Sequence, residues 1–435
     1  MAWRRRFNLR LLFAAAGLAA AVWLLRCSQQ NVFSEYIATG PEAEEKLPPE
    51  LQAYCAFSIP HGPDGSATAC GLREESEQIR FQKLKERLHS PQFIQALPVE
   101  AGTEFERTPY EEQCAPGELT AFGQLQLQAL GRYLGQRYRE FLQGQLNAAH
   151  WFTPFARTFQ SALGLEAGLA EAGVPVAWPL RRTNNSYFCR AADCQCARVD
   201  QLRAEYLSKR ALMPVDSRVS SAVADIAGNI LGQPNITDAS PLTDNLMAGF
   251  VCRRLSLPCL QGNCVKYSHI QAFMAFHKER MQEVSLQFGG PFARVNVVKS
   301  LPILREVIGL ANLQTKNPDK KYLRIFSGHD ISLRPVMFAL GVYDGQVPPY
   351  ASRLVFELYD WAGEEGPFFR LLQDGRDLSR SLPFCQSSLK ALHTSLALFR
   401  ILSCFGLMSL SALRELLAEE LWQRAGGLKL AQICA

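Results

Sequence analysis

Three side chains in this sequence have the types and settings that suit the handling of a phosphate group. In residues 325–333, IFSGHDISL, His329 and Asp330 follow Gly328 at the end of an apolar run and open a helix-like stretch. A helix start offers free backbone N–H groups to an anion, and a neighbouring imidazole and carboxyl group can contact that anion and move a proton. The third residue is Arg157, in FARTFQSA at residues 155–162. An arginine that opens a helix just after a strand can grip a phosphate through its planar fork of donors. Each has a plainer reading: helix capping for the His–Asp pair, a surface ion pair for Arg157. Capping needs only one residue of the pair, however, and Gly328 before it implies a close backbone approach.

Several elements must position these residues. LTAFGQLQLQALGRYLGQRYREFL, residues 119–142, has apolar residues at helical spacing with Thr120 as its N-cap. A short strand is expected around His150 to Phe152, then a loop with Pro154 and a helix opening near Arg157 and Thr158. KKYLRIFSGHD predicts a strand that runs into the His–Asp turn, and SRLVFELY predicts another strand. Between the Arg157 helix and KKYLRIFSGHD, up to about Pro318, lies a long, cysteine-rich, largely irregular stretch. Strands alternating with helices and ending in polar residues imply an α/β core with a mostly parallel sheet flanked by helices, interrupted by an inserted, largely irregular or helical cap at about residues 171–317.

The chain's 435 residues, 48% apolar and 10% aromatic, are enough for a large core. Five arginines in the first 26 residues, where no acid occurs, account for the excess of 46 basic over 41 acidic side chains. A basic tip without a basic face argues against a nucleic-acid partner. Residues 1–10 read as a cytoplasmic tail and residues 11–25, LLFAAAGLAAAVWLL, as an uncleaved signal anchor, with Trp23 and Arg26 as its interfacial flank. A cleaved signal peptide is the alternative reading of the same run. Residues 26–52, rich in Pro and Glu, read as a luminal stem, and residues 53–435 as the luminal domain. Thirteen cysteines suit an oxidising compartment. The clusters CRAADCQC and CRRLSLPCLQGNC are read as disulfide-forming; a zinc site is the alternative, although neither has C-x2-C spacing. Asn184 in NNS and Asn235 in NIT are glycosylation sequons.

Four stretches in order, GELTAFGQLQLQALGRYLGQRY, FARTFQSA, FSGHDISLRPVMFALG and PPYASRLVFELY, resemble signatures of the histidine acid phosphatases. The resemblance covers roughly residues 53–386. It implies a phosphomonoesterase without metal or organic cofactor, in which a histidine attacks phosphorus and water hydrolyses the phosphohistidine. Arg157 matches the arginine that holds the phosphoryl oxygens, His329 the histidine that also contacts the phosphoryl group, and Asp330 the acid that protonates the leaving alcohol. The cysteine clusters and NCVKYSHI resemble a branch of single-pass type II Golgi membrane enzymes. Those remove phosphate from the xylose of the glycosaminoglycan–protein linkage region, which implies a phosphorylated, xylose-containing glycan as partner. Nothing in the sequence specifies an oligomeric state.

The sequence departs from the family at two places. The family's nucleophile lies in an Arg-His-Gly-x-Arg-x-Pro motif, and no Arg-His-Gly occurs here. In IPHGPDG, His61 and Gly62 are present, but Pro60 and Asp64 stand where two cations belong, so a Gly/Pro turn is the better reading. Residues 66–96 also lack an apolar strand, which implies that a central strand has been lost or replaced and its neighbours left unpaired. The second departure is residues 387–409, SSLKALHTSLALFRILSCFGLMS, which match nothing in the family and are interrupted by Arg400 as a membrane span. A splice or gene-model variant explains both. Three readings follow: an incomplete form of a phosphatase, a pseudophosphatase that binds phosphorylated glycans, and a disulfide-linked scaffold.

Overall fold

A computed structural model describes residues 47–55, 75–100, 105–109, 117–189, 196–211, 216–232, 234, 239–359, 368–383 and 408–435. In chain order the main elements are α1 (Pro49–Tyr54), α2 (Glu75–Leu88), α3 (Ala121–Arg137), β1 (Leu146–Phe152), α4 (Ala156–Glu171), β2 (Leu180–Arg182), α5 (Val199–Ala211), α6 (Tyr267–Ser285), α7 (Pro291–Lys316), β3 (Lys321–Ser327), α8 (Asp330–Leu340), β4 (Leu354–Tyr359) and β5 (Phe368–Gln373).

Strand β1 lies between β2 and β3, and both pairings are parallel. Alternation along the strands sends their side chains into two layers. Phe152, Leu323 and Ile325 join Phe159, Leu163 and Leu180 in a core with α2, α3 and α4. Trp151 and Phe326 stack on the other face, where Phe188 and Ile303 of α7 meet them. Helices thus cover both faces of a parallel sheet, as the sequence predicts. The strand expected in SRLVFELY also forms, but as part of a separate antiparallel sheet in which β4 pairs with β5, and β5 in turn pairs with Arg376–Asp377 and Met408–Ser409. The expectation of a mostly parallel sheet therefore holds only for the half that carries the site.

The helical signals behave as their chemistry requires. Thr120 caps α3 by accepting a hydrogen bond from the Gly123 amide at 3.0 Å. Helices α3 and α4 pack so closely that a Cβ on Gly168 would stand 1.9 Å from the Gln128 carbonyl oxygen, and one on Gly131 2.1 Å from that of Leu165. Helix α8 ends at Gly341, whose φ of +74° is the left-handed geometry of a C-cap. Of the two forms expected for the inserted stretch, irregular or helical, the helical one prevails where described, with helices at Val199–Ala211, Ser217–Ala224, Ala239–Leu246, Tyr267–Ser285 and Pro291–Lys316. Interruption by prolines and cysteine loops masked their periodicity, and Pro291 sits at the first turn of α7, where no N–H bond is lost.

Disulfides join Cys55 to Cys252, Cys196 to Cys434 and Cys259 to Cys264, and Cys189 is disulfide-bonded as well. These sulfurs are therefore not zinc ligands, and among the described residues no group of three His, Cys, Asp or Glu is placed to hold a metal ion. Among the same residues no helix is long and apolar enough to cross a membrane. The apolar run at residues 11–25, His61, Asn235 and residues 387–407 all lie outside them.

Candidate functional site

Two strand-to-helix turns lie side by side at the C-terminal ends of the parallel strands. Phe152 and Ser327 are partners in the β1–β3 register, and the Thr153 amide donates to the Ser327 carbonyl oxygen at 3.2 Å. From Phe152 the chain turns through Thr153, Pro154 and Phe155 into α4. From Ser327 it turns through Gly328 into α8. Arg157 is the second residue of α4, His329 the N-cap of α8 and Asp330 its first residue. Sequence-distant candidates thus converge in the crevice beyond the strand ends, where open α/β sheets place ligands.

Arg157 Nη2 lies 3.5 Å from His329 Nδ1, and Arg157 Nη1 donates to the Gly117 carbonyl oxygen at 3.1 Å. The guanidinium also lies over the Phe155 ring, 4.5 Å from its centroid, while that ring meets His329 edge-on at 5.0 Å. Phe155 itself is 38% exposed, so it forms an aromatic wall beside the two groups. On the far side of the imidazole, Nε2 lies 2.8 Å from the Thr153 hydroxyl. Asp330 is held differently: its Oδ2 pairs with Arg334 Nη2 one helical turn on, at 2.7 Å. Tyr54 and Tyr350 meet at 5.2 Å near Asp330, and burial followed by the charges of Asp244 and Asp330 pushes the Tyr350 hydroxyl up to about 12.

Burial sets the protonation of the imidazole. Desolvation first, and the Arg157 charge second, push the His329 pKa down to about 4 against a weaker opposing pull from Asp330. Burial also pulls Arg157 below its ordinary value, with Asp330 acting the other way, but a guanidinium stays charged at any ordinary pH. At neutral pH the crevice therefore presents a fixed cation beside a neutral imidazole.

The supporting side chains account for Gly328. A Cβ there would stand 2.8 Å from Ser332 Oγ and 2.9 Å from the Phe188 ring. Phe188 reaches this position with a φ of +64°, in a loop held by Asn185 Oδ1, which accepts from the Tyr187 and Cys189 amides. Ser332 Oγ accepts from the His329 amide and donates to the Ser186 carbonyl oxygen. Capping thus does occur at this helix start, but through Ser332, which leaves the His329 ring free to face Arg157. Behind the turn, His150 is fully buried between Glu166 Oε1 at 2.5 Å and Ser327 Oγ at 2.8 Å, and the Trp178 indole also donates to Glu166. Sequence reasoning did not find the roles of Thr153, Phe155, His150 and Glu166. A buried acid in an otherwise apolar helix was the available signal for Glu166; nothing local marks Thr153. Asn184 is exposed in the loop after β2.

The profile of the histidine phosphatase superfamily, branch 2, matches residues 81–374, a stretch that begins after His61. The human 2-phosphoxylose phosphatase 1 is 28% identical over 316 residues, which cover 68% of this chain and 64% of that protein. Its Xenopus tropicalis counterpart is 25% identical, covering 66% and 58% respectively. Human lysosomal acid phosphatase is 27% identical over 316 residues, 65% of this chain and 70% of that protein. The chain therefore spans about six-tenths of the length of the phosphoxylose phosphatases it matches. A solved phytase from Klebsiella sp. ASR1 aligns with 73% of this chain and 89% of its own at 17% identity and a TM-score of 0.33, too low to bear on the argument.

Proposed function

The chain belongs to the histidine phosphatase superfamily, branch 2, and from that premise we propose that it is a phosphomonoesterase whose crevice receives a phosphate ester between Arg157 and His329. The observation that carries this reading is the approach of Arg157 Nη2 to His329 Nδ1 at 3.5 Å, across two turns 172 residues apart in sequence. In that role Arg157 holds phosphoryl oxygens with a fixed charge that costs no reorganisation as the reaction proceeds. Asp330 is the proton donor, which a departing sugar alkoxide, a strong base, requires. The substrate we assign is the phosphorylated xylose of the glycosaminoglycan linkage region, on the strength of the phosphoxylose phosphatases among the relatives. A type II anchor at residues 11–25, a luminal domain in the Golgi and glycans on Asn184 and Asn235 complete the proposal.

A second reading has its own observation. Neither the sequence nor the described residues put another histidine beside His329: no Arg-His-Gly occurs, and His150 is enclosed by Glu166 and Ser327. A chain that keeps the anion grip and lacks the phosphoryl acceptor binds phosphorylated glycans without hydrolysing them. The two are separated by presenting the full chain with a 2-phosphorylated xyloside and measuring bound ligand and released phosphate together. Binding with release, abolished by Arg157→Ala, supports the enzyme. Binding without release leaves the pseudophosphatase. Binding equal in native protein and Arg157→Ala overturns both.

A further inference from the structure

Behind His329 the hydrogen-bond donors can be counted. Thr158 Oγ1 contacts two carbonyl oxygens, of Thr153 at 2.9 Å and Phe155 at 2.8 Å, and the Thr153 hydroxyl at 2.9 Å. Carbonyls only accept, so the single Thr158 proton goes to them, and the Thr158 oxygen must accept from Thr153. The single Thr153 proton is thereby committed. Its oxygen lies 2.8 Å from His329 Nε2 and can only accept there, so Nε2 carries the hydrogen. At the other end of the ring Arg157, which has donors alone, faces Nδ1. Both ends require the same tautomer. Thr153 is fully buried and Thr158 3% exposed, so water does not offer competing partners.

We propose that Thr153 and Thr158 form a hydroxyl relay that fixes His329 as the Nε2–H tautomer, making Nδ1 a hydrogen-bond acceptor and selecting a phosphate that carries a proton. The relay itself stands on the geometry; its ligand rests on the phosphate-site reading above. An anion pocket made only of donors favours the most highly charged form of its ligand. This one sets a lone pair beside a guanidinium, so the complementary ligand offers one P–OH to Nδ1 and ionised oxygens to Arg157. Among the described residues the charged groups around the ring are Arg157 from α4 and Asp330 from its own helix, the latter tied to Arg334. With the pKa of the ring held at about 4, it keeps this acceptor through the range in which phosphate monoester dianions take up a proton to become monoanions.

The test is histidine side-chain nitrogen NMR of the full chain in detergent, with the His329 resonances among the seven histidines identified by their loss in His329→Gln. Above pH about 5, a pyridine-like Nδ1 and a pyrrole-like Nε2 are expected. Thr153→Ser should keep that signature and Thr153→Val should lose it through a mixture of tautomers. A pyrrole-like Nδ1 in the native chain overturns the proposal without the need for any variant to fold. Inorganic phosphate then supplies the second arm: its affinity should fall about tenfold per pH unit on the alkaline side of its second ionisation, because one proton accompanies each anion. The Nδ1 signature should persist in the bound state. Binding that ignores pH, or a doubly protonated ring in the complex, overturns the acceptor role. The expected tautomer with no phosphate binding at any pH instead upholds the relay and defeats the phosphate-site reading.

Discussion

Replacing Gly168 by alanine tests whether the α3–α4 contact holds the site together. In an open helical position the exchange stabilises by about 1 kcal/mol, because alanine loses less backbone entropy than glycine. At Gly168 the new methyl would stand 1.9 Å from the Gln128 carbonyl oxygen and 2.8 Å from the Arg132 amide nitrogen, both of them backbone atoms of α3. Ordinary contact is about 3.5 Å, so the helices must part by more than about 1 Å. Overpacking of this kind costs about 1–3 kcal/mol, and here no flexible side chain can yield, which places the cost at the upper end. The net expectation is a loss of about 2 kcal/mol, read as a fall of several degrees in the thermal unfolding midpoint by circular dichroism. The control is Gly309→Ala in α7, where the methyl meets nothing within 4 Å and a gain of about 0.5–1 kcal/mol is expected. Arg157 opens α4, so Gly168→Ala should also weaken phosphate binding, whereas Gly309→Ala should not. A Gly168→Ala chain that melts at or above the native temperature refutes the reasoning, since then the glycine is not needed for the approach.

Other perturbations follow from protonation and cross-links. His329 is held at about 4 when folded and returns to its ordinary value near 6.5 when unfolded, so its contribution to stability is complete above about 6.5 and lost as pH falls towards 4. Urea midpoints at pH 7 and pH 4.5 should differ less in His329→Gln than in the native chain. Glu357 behaves in the ordinary carboxylate sense: burial resists its charge, but hydrogen bonds from Tyr138, Tyr359 and Arg370 outweigh that and hold its pKa below the usual range. Its contribution is present above that range and lost on acidification, and Glu357→Gln at neutral pH should cost about 1–3 kcal/mol in denaturant unfolding. Removing the Cys55–Cys252 bond with paired serines should cost about 2–4 kcal/mol and expose α1, with Tyr54, to limited proteolysis.

The positioning elements were legible in the sequence because local chemistry decides them. Thr120 starts α3, and the apolar run before Gly328 becomes β3. Arg157, His329 and Asp330 were nameable because they sit at strand ends, where a polar residue interrupts an apolar pattern. What fixes the imidazole was not legible. Thr153 and His329 are 176 residues apart, and only the β1–β3 register brings hydroxyl and ring together. The same holds for His150 and Ser327, whose contact spans 177 residues. Periodicity reports which face a residue occupies; it carries no information about the partner across the strand pair.

All seven residues of β3 are only partly buried, and among the described residues β3 pairs with β1 alone; β4 pairs with β5 alone. Both strands approach one segment, since Lys321 at the start of β3 donates to the Glu140 and Gln143 carbonyl oxygens while Glu357 in β4 accepts from the Tyr138 hydroxyl. A parallel strand that carries catalytic residues at its end is normally buried and paired on both sides. On the reading that a central strand has been lost, unpaired backbone beside residues 138–143 would cost stability as well as chemistry. On that reading Arg157 and His329 would keep their approach, because both are built from the β1 and β3 turns, whose parallel register is in place. Such a loss would take away the phosphoryl acceptor and leave the proposed binding site, which is why binding and release must be measured separately.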